Sequence, residues 1–155
     1  MRTLKPGARI FKHILIPTDG SPVSGKAAKA GVALANALGA KVTGYYAVDE
    51  LQPLYVEGYM MDQSMMEDLD NRARELGEKR VNAIGDLAKA AGVRFSPLVS
   101  KASTAYEGII DAAKTQKCDV IFMASHGRRG FSKLFMGSVT HKVLTHSKIP
   151  VVVYR

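Results

Sequence analysis

One stretch, Asp119 to Ser138 (DVIFMASHGRRGFSKLFMGS), constrains the fold more than any other. Its first part, Asp119 to Ala124, is a short apolar block of the kind that forms a strand buried on both faces, the environment of a parallel sheet covered by helices. The block breaks at Ser125 to Gly130 into a loop that carries Gly127 and Gly130. A linker follows, and then Gly137 and Ser138 stand directly before a helical pattern with Val139, Val143 and Leu144 on one face. A strand that delivers a glycine loop and is followed by a helix start outlines an anion site. Glycine lets backbone N–H groups approach a phosphate closely, and the first amides of a helix lack intrahelical acceptors and sit at the positive end of its dipole. The Ser138 hydroxyl adds to them. The candidate ligand contacts here are Met123 and Ala124 at the strand end, His126, Gly127, Arg128, Arg129 and Gly130 in the loop, and Gly137, Ser138 and Val139 at the helix start. His126 has no second metal-ligating side chain beside it at ligand spacing, so it reads as a phosphate or backbone contact and not as a metal ligand. Arg128 and Arg129 either neutralise phosphate or are solvated.

The rest of the chain supplies the sheet. Lys12 to Pro17 is a short apolar strand ending in the turn cluster Thr18-Asp19-Gly20-Ser21-Pro22. A helix follows, with Ser21 as cap, Pro22 at its first position, Val23, Ala27, Ala30, Leu34 and Leu38 on one face, and Gly39 as stop. Lys41 to Val48 is a second strand, and strand, helix and strand within about 37 residues make a right-handed βαβ unit. Residues 49–63, rich in Tyr and Met, read as a long loop that is either a flap over the site or a cover for the sheet edge. A helix over about 64–91 places Leu69, Ala73, Leu76, Ile84, Leu87 and Ala91 inward, although Gly77 and Gly85 each cost it about 1 kcal/mol in propensity. Val93 to Val99 is the third strand, and Thr104 with Glu107 caps a helix whose apolar face is Ile109, Ile110 and Ala113. The last strand is Ile149 to Tyr154.

Pro97 in the third strand and Pro150 in the fifth point to sheet edges. The expected fold is therefore α/β: a five-stranded parallel sheet in the order 3-2-1-4-5 with helices on both faces, Rossmann-like. In such a sheet the ligand crevice lies beyond the carboxyl ends of strands one and four, where the order reverses. Pro17, Thr18 and Asp19 arrive there from one side and the Ser125–Gly130 loop from the other. Asp19 can accept hydrogen bonds from a ribose or help hold a cation, or it can act only as a turn residue. The Val151-Val152-Val153 edge needs cover, and a homodimer through 149–154 would provide it.

A chain of 155 residues with 46% hydrophobic and 23% charged content fits one globular domain over 1–155, with a loose arm at 1–11. No segment has the length of a membrane span, and the apolar part of the N-terminus is interrupted by Lys12 and His13, unlike a signal peptide, so a cytoplasmic location is expected. The single cysteine, Cys118, forms no internal disulfide and reads as packing. The net charge of +8 is polarised: residues 1–48 and 101–155 are each basic by six charges, and 49–86 is acidic by six. The basic ends are expected to flank the glycine loop. Aromatic residues are not interleaved with Lys and Arg, which argues against nucleic-acid binding.

The spacing Ala124-Ser-His-Gly127, nine residues, Gly137-Ser138 resembles the nucleotide-binding signature of the universal stress protein family: Gly, two residues, Gly, nine residues, Gly, then Ser or Thr. Ala124 stands where that pattern has its first glycine. The resemblance runs from the Lys12 strand to the final strand. It implies an adenine nucleotide α-hydrolase-like fold, an ATP ligand (with ADP or AMP as variants) carrying Mg²⁺ on its phosphates, an Asp19 contact to the nucleotide, and backbone contacts from Val48 to the adenine edge. It also implies a homodimer and a sensor or regulator with at most slow hydrolysis. No nucleophile with an adjacent base and no paired carboxylates can be read from the chain. A nucleotide-free interaction module of the same fold is the alternative, and Ala124 is the feature that favours it. An ATP-activating enzyme of related architecture would carry a Ser-Gly-Gly-x-Asp-Ser loop after the first strand, which this chain lacks.

Overall fold

A computed structural model of the chain describes residues 10–50, 55–56, 59–60, 62–127 and 136–155. Most of the arm expected at 1–11, much of the 49–63 segment, and the candidates Arg128, Arg129 and Gly130 lie outside the described residues. The elements are β1 (His13–Pro17), α1 (Pro22–Leu38), β2 (Lys41–Asp49), β3 (Tyr55–Val56), β4 (Tyr59–Met60), α2 (Gln63–Ala90), β5 (Phe95–Ala102), α3 (Ala105–Thr115), β6 (Val120–Ala124), α4 (Ser138–His146) and β7 (Val151–Tyr154). Five strands form one parallel sheet in the order β5-β2-β1-β6-β7, which is 3-2-1-4-5 when only its own strands are numbered. Within 49–63, read from sequence as loop, β3 and β4 pair as a two-residue antiparallel ladder.

The central strands β1 and β6 are buried along their whole length, and cores lie on both faces of the sheet. On one face Ile14, Ile16, Val42, Val120 and Phe122 pack with α1 and α2; on the other Leu15, Tyr45, Ile121 and Met123 pack with α3 and Val143 of α4. Each fully buried aliphatic side chain contributes about 1.5–3 kcal/mol, so these strands are the firm base from which both candidate loops leave. Local signals act as read. Ser21 Oγ accepts from Ser24 N–H, Pro22 opens α1, and Gly39 ends it at φ 62°. Thr104 caps α3 and its hydroxyl donates to Glu107.

The inner face of α2 is corrected. Leu69 and Leu76 are exposed, and the buried residues are Gly77, Val81, Ile84 and Ala88. The helix comes so close to the sheet at Gly77 that a Cβ there would meet Tyr46 Cδ1 at 2.6 Å and Val99 Cγ1 at 3.0 Å. The leucines look like core because they are apolar, but the contact stripe passes through a residue with no side chain.

Hydrogen-bond parity explains Pro97, whereas Pro150 precedes β7 and meets β6 through its carbonyl. Val42 N–H donates to Arg94 O and Glu50 N–H to Ala102 O, so even-numbered residues of β5 face β2 and Pro97 points outward, where it breaks no ladder bond. At the other edge Ile121 N–H donates to Pro150 O and Ser125 N–H to Tyr154 O, leaving Val151 and Val153 to turn their amides outward.

Cations also gather at the opposite end of the sheet. Among the described residues each strand of the large sheet is preceded or opened by a cation, Lys12, Lys41, Arg94, Lys117 or Lys148, at the end opposite the glycine loop. All four large-sheet helices end there, and their negative C-terminal dipoles favour cations. At this end the Asp119 carboxylate accepts the N–H groups of Lys12 (2.9 Å) and His13 (3.1 Å), and His13 Nε2 shares a 2.7 Å hydrogen bond with Thr43 Oγ1. Burial, then the charge of Lys41, lowers the His13 pKa. Burial pushes the Cys118 thiol up to about 11, in keeping with a packing role.

Candidate functional site

The crevice lies beyond the carboxyl ends of β1 and β6. Past Pro17 the ladder continues one residue, with Thr18 N–H donating to Tyr45 O at 2.9 Å. The chain then turns: Thr18 Oγ1 accepts Gly20 N–H (3.1 Å) and bonds Ser24 Oγ (3.0 Å), and Asp19 Oδ1 accepts Ser21 N–H (2.9 Å). Gly20 has φ +77°, a conformation that side chains rarely adopt. This turn fixes Asp19 at the mouth of the crevice.

From the other side, β6 ends at Ala124, whose carbonyl accepts the Thr140 hydroxyl at 2.9 Å. The next residue joins three elements. Ser125 N–H donates to Tyr154 O of β7, Ser125 O accepts Gly137 N–H, both at 2.8 Å, and Ser125 Oγ bonds His126 Nδ1 at 2.9 Å. Gly137 is the N-cap of α4 and offers no side-chain oxygen, so the amides of Ser138, Val139 and Thr140 have no intrahelical acceptor; the first helical bond is His141 N–H to Gly137 O at 2.9 Å. A Cβ on Gly137 would stand 3.1 Å from His126 Cα. One on Gly127 would run into the Asp19 carboxylate. The two loops therefore meet at Asp19 and Gly127, beside a helix start with donors to offer.

Pro17, Thr18, Asp19, Met123, Ala124, His126, Gly127, Gly137, Ser138 and Val139 all fall at this end of the sheet, on or next to the two loops. Ala124 is buried, and it packs into the core shared with α1 and α2. Val48 is corrected. Odd-numbered residues of β2 bond β1, as Lys41 N–H to Lys12 O and Thr18 N–H to Tyr45 O show, and even-numbered ones bond β5. The Val48 backbone therefore faces β5, and Ala47 turns its backbone to the β1 side, just past the end of that strand. Alternation of side chains along β2 is legible in sequence; which neighbour takes which amide is not. Sequence reading also missed Ser125 and Thr140, which carry no signal beyond being small and polar. Among the described residues no cluster of three His, Cys, Asp or Glu could hold a metal ion, and no helix is long and apolar enough to cross a membrane.

A shallow groove of about 710 Å³ lies elsewhere, between β5 and α3, lined by Ser100, Ser103, Tyr106, Asp111, Lys114 and His146 among others. Of its polar groups, Ser100 Oγ bonds Tyr45 Oη at 3.0 Å and Lys114 lies 3.9 Å from Asp111. The crevice between β1 and β6 gathers helix-start donors, glycines and a carboxylate, which is the more informative chemistry.

A parallel α/β domain whose two central strands end in a glycine-bearing crevice is of the doubly wound class, which takes ligands at the point where strand order reverses. Within that class the chain belongs to the universal stress protein family, whose model matches residues 10–155. Universal stress protein MJ0531 of Methanocaldococcus jannaschii is 29% identical over 152 residues, covering 98% of this chain and 86% of that protein. The structure of universal stress protein UspA from Lactobacillus plantarum superposes with a TM-score of 0.79 at 22% identity, covering 96% of this chain and 99% of that one. A universal stress protein solved in complex with cAMP has the same fold, with a TM-score of 0.67 at 20% identity over 94% of this chain and 98% of that one.

Proposed function

We propose that this protein binds an adenine nucleotide, ATP with Mg²⁺ on its phosphates, in the crevice between β1 and β6, and acts as a dimeric cytoplasmic sensor or regulator with at most slow hydrolysis. The observation that carries the reading is the junction of Asp19 and Gly127 beside the glycine-capped start of α4. The free amides of Ser138, Val139 and Thr140 suit a phosphate group, and the absence of a side chain at Gly127 and Gly137 leaves room for it. Asp19 suits the ribose or the cation, and the Ala47 backbone suits the adenine edge. A family member in complex with cAMP supports an adenine ligand. The alternative, a nucleotide-free interaction module, drew on Ala124, but that methyl group belongs to the core beside α1.

The dimer is proposed through β7, where outward amides at Val151 and Val153 are open to pairing while Pro97 guards the opposite edge. Ser125 then links ligand and dimer, since its backbone bonds both Gly137 at the start of α4 and Tyr154 at the end of β7. Calorimetric titration of Mg-ATP into the wild type and Gly137→Val tests the reading. Binding near one per chain that is lost in a folded variant supports it; equal affinity in the two proteins refutes the site.

A further inference from the structure

Arg80 reaches the crevice from outside its two loops. It stands on α2 at the margin of the buried face formed by Gly77, Val81 and Ile84, and it is half-buried. Its Nη1 donates to Tyr46 Oη at 2.9 Å, and its guanidinium carbon lies 5.2 Å from the centre of the Tyr46 ring. Its stem fills the space beside Gly20, so that a Cβ on Gly20 would meet Arg80 Cδ, Nε and Cζ. Both the positive φ and the arginine therefore require glycine here. Neither ion pair found among the described residues includes Arg80. A half-buried guanidinium without a carboxylate partner is costly unless its packing and hydrogen bonds compensate, and what this one packs against is the turn carrying Asp19.

We propose that Arg80 is a positioning residue for the crevice. Packed between Tyr46 and Gly20, it holds the turn from Thr18 to Ser21 so that the Asp19 carboxylate stays against Gly127, and it thereby sets affinity at the nucleoside end of the ligand. The affinity part of this inference rests on the nucleotide reading above. The nucleoside end follows from topology: Tyr46 belongs to β2, on one side of β1, whereas the free amides of α4 lie on the β6 side. An arginine that acts through the turn weakens ATP and AMP by the same factor. One that touches the β- or γ-phosphate weakens ATP more.

The test uses Arg80→Met, which keeps most of the stem, Tyr46→Phe, which removes the hydrogen-bond acceptor, and Arg80→Lys, which keeps the charge without the planar fork. Two quantities are measured: affinity for ATP and for AMP, and hydrogen exchange at the amides of Gly20 and Ser21 in ligand-free protein, since both amides are bonded within the turn. Arg80→Met is expected to weaken both nucleotides about tenfold, Tyr46→Phe by a smaller factor, and Arg80→Lys to recover only part of the loss. Exchange at Gly20 and Ser21 quickens in Arg80→Met while helix and strand amides stay as protected as in the wild type. Unchanged exchange at these two amides overturns the proposal whether or not nucleotide binds, and so does a loss for ATP that exceeds the loss for AMP. If the wild type binds neither nucleotide while exchange still quickens in the variant, the affinity part falls with the nucleotide reading and the role in holding the turn stands.

Discussion

The Asp19 carboxylate lies against Gly127, so closely that a side chain at residue 127 would take the place of an Asp19 oxygen. One residue stands in the turn after β1 and the other in the loop after β6, and their contact makes the two loops one site. Gly127→Val must push the loops apart. Nucleotide affinity is expected to fall at least about tenfold, while the variant stays folded because both residues lie outside the two cores. Titration with ATP checks the first and circular dichroism the second; an unaltered affinity would mean that the contact plays no part in binding.

Thr140 is buried, and its hydroxyl holds the Ala124 carbonyl. Thr140→Val keeps the shape and leaves that acceptor without its donor, a change that costs roughly 1–3 kcal/mol. Because the bond ties α4 to the end of β6, nucleotide affinity should fall together with stability. Urea unfolding measures the first effect; a variant as stable as the wild type contradicts the role given to this bond.

At the β7 edge Val153 turns its amide outward. Val153→Pro removes that donor and leaves the ladder to β6 intact, as Pro97 does at the β5 edge. Sedimentation equilibrium should show a dimer for the wild type and a monomer for the variant. If Ser125 couples ligand and dimer, saturating ATP should tighten the wild-type dimer by the square of the factor by which dimerisation tightens ATP binding at each of its two sites. A variant that dimerises as the wild type does places the interface elsewhere.

His13 makes stability depend on pH in a definite direction. Burial and Lys41 hold its pKa below the ordinary 6.5, so as pH falls past that value the unfolded chain takes up a proton before the folded one does. Stability therefore declines with acid from there down to the folded-state pKa, and above 6.5 the imidazole contributes no slope. Asp119 and Lys41 are the charges nearest to it and act in opposite directions. The urea midpoint of the wild type should drop between about pH 7 and pH 5 more than that of His13→Gln. Equal drops would remove His13 from the account.

Sheet order and crevice position were legible because they follow from local chemistry. Two prolines name the edges, a capping serine and a stop glycine bound α1, and the loops after the first and fourth strands converge wherever those strands are central. What was not legible depends on partners distant in the chain. The leucines at 69 and 76 look like core, but Tyr46 and Val99 determine that Gly77 faces the sheet. Val48 and Ala47 differ in role only through the parity of β2 against its two neighbours. The bonds from Ser125 to Tyr154 and from Thr140 to Ala124 exist only once β6, β7 and α4 have come together. The placing of Lys12, Lys41, Lys117 and Lys148 at the strand starts follows from the helix ends that gather there and favour cations.

The central claim is that the crevice between β1 and β6 holds an adenine nucleotide, and the most direct measurement is of what the purified protein carries. The protein is denatured and removed, and released nucleotide is identified and counted by ion-pair chromatography, with and without prior incubation in Mg-ATP. The account predicts about one adenine nucleotide per chain after incubation, and none from a folded Gly137→Val variant treated in the same way. A folded wild-type protein that releases no nucleotide after incubation would contradict it.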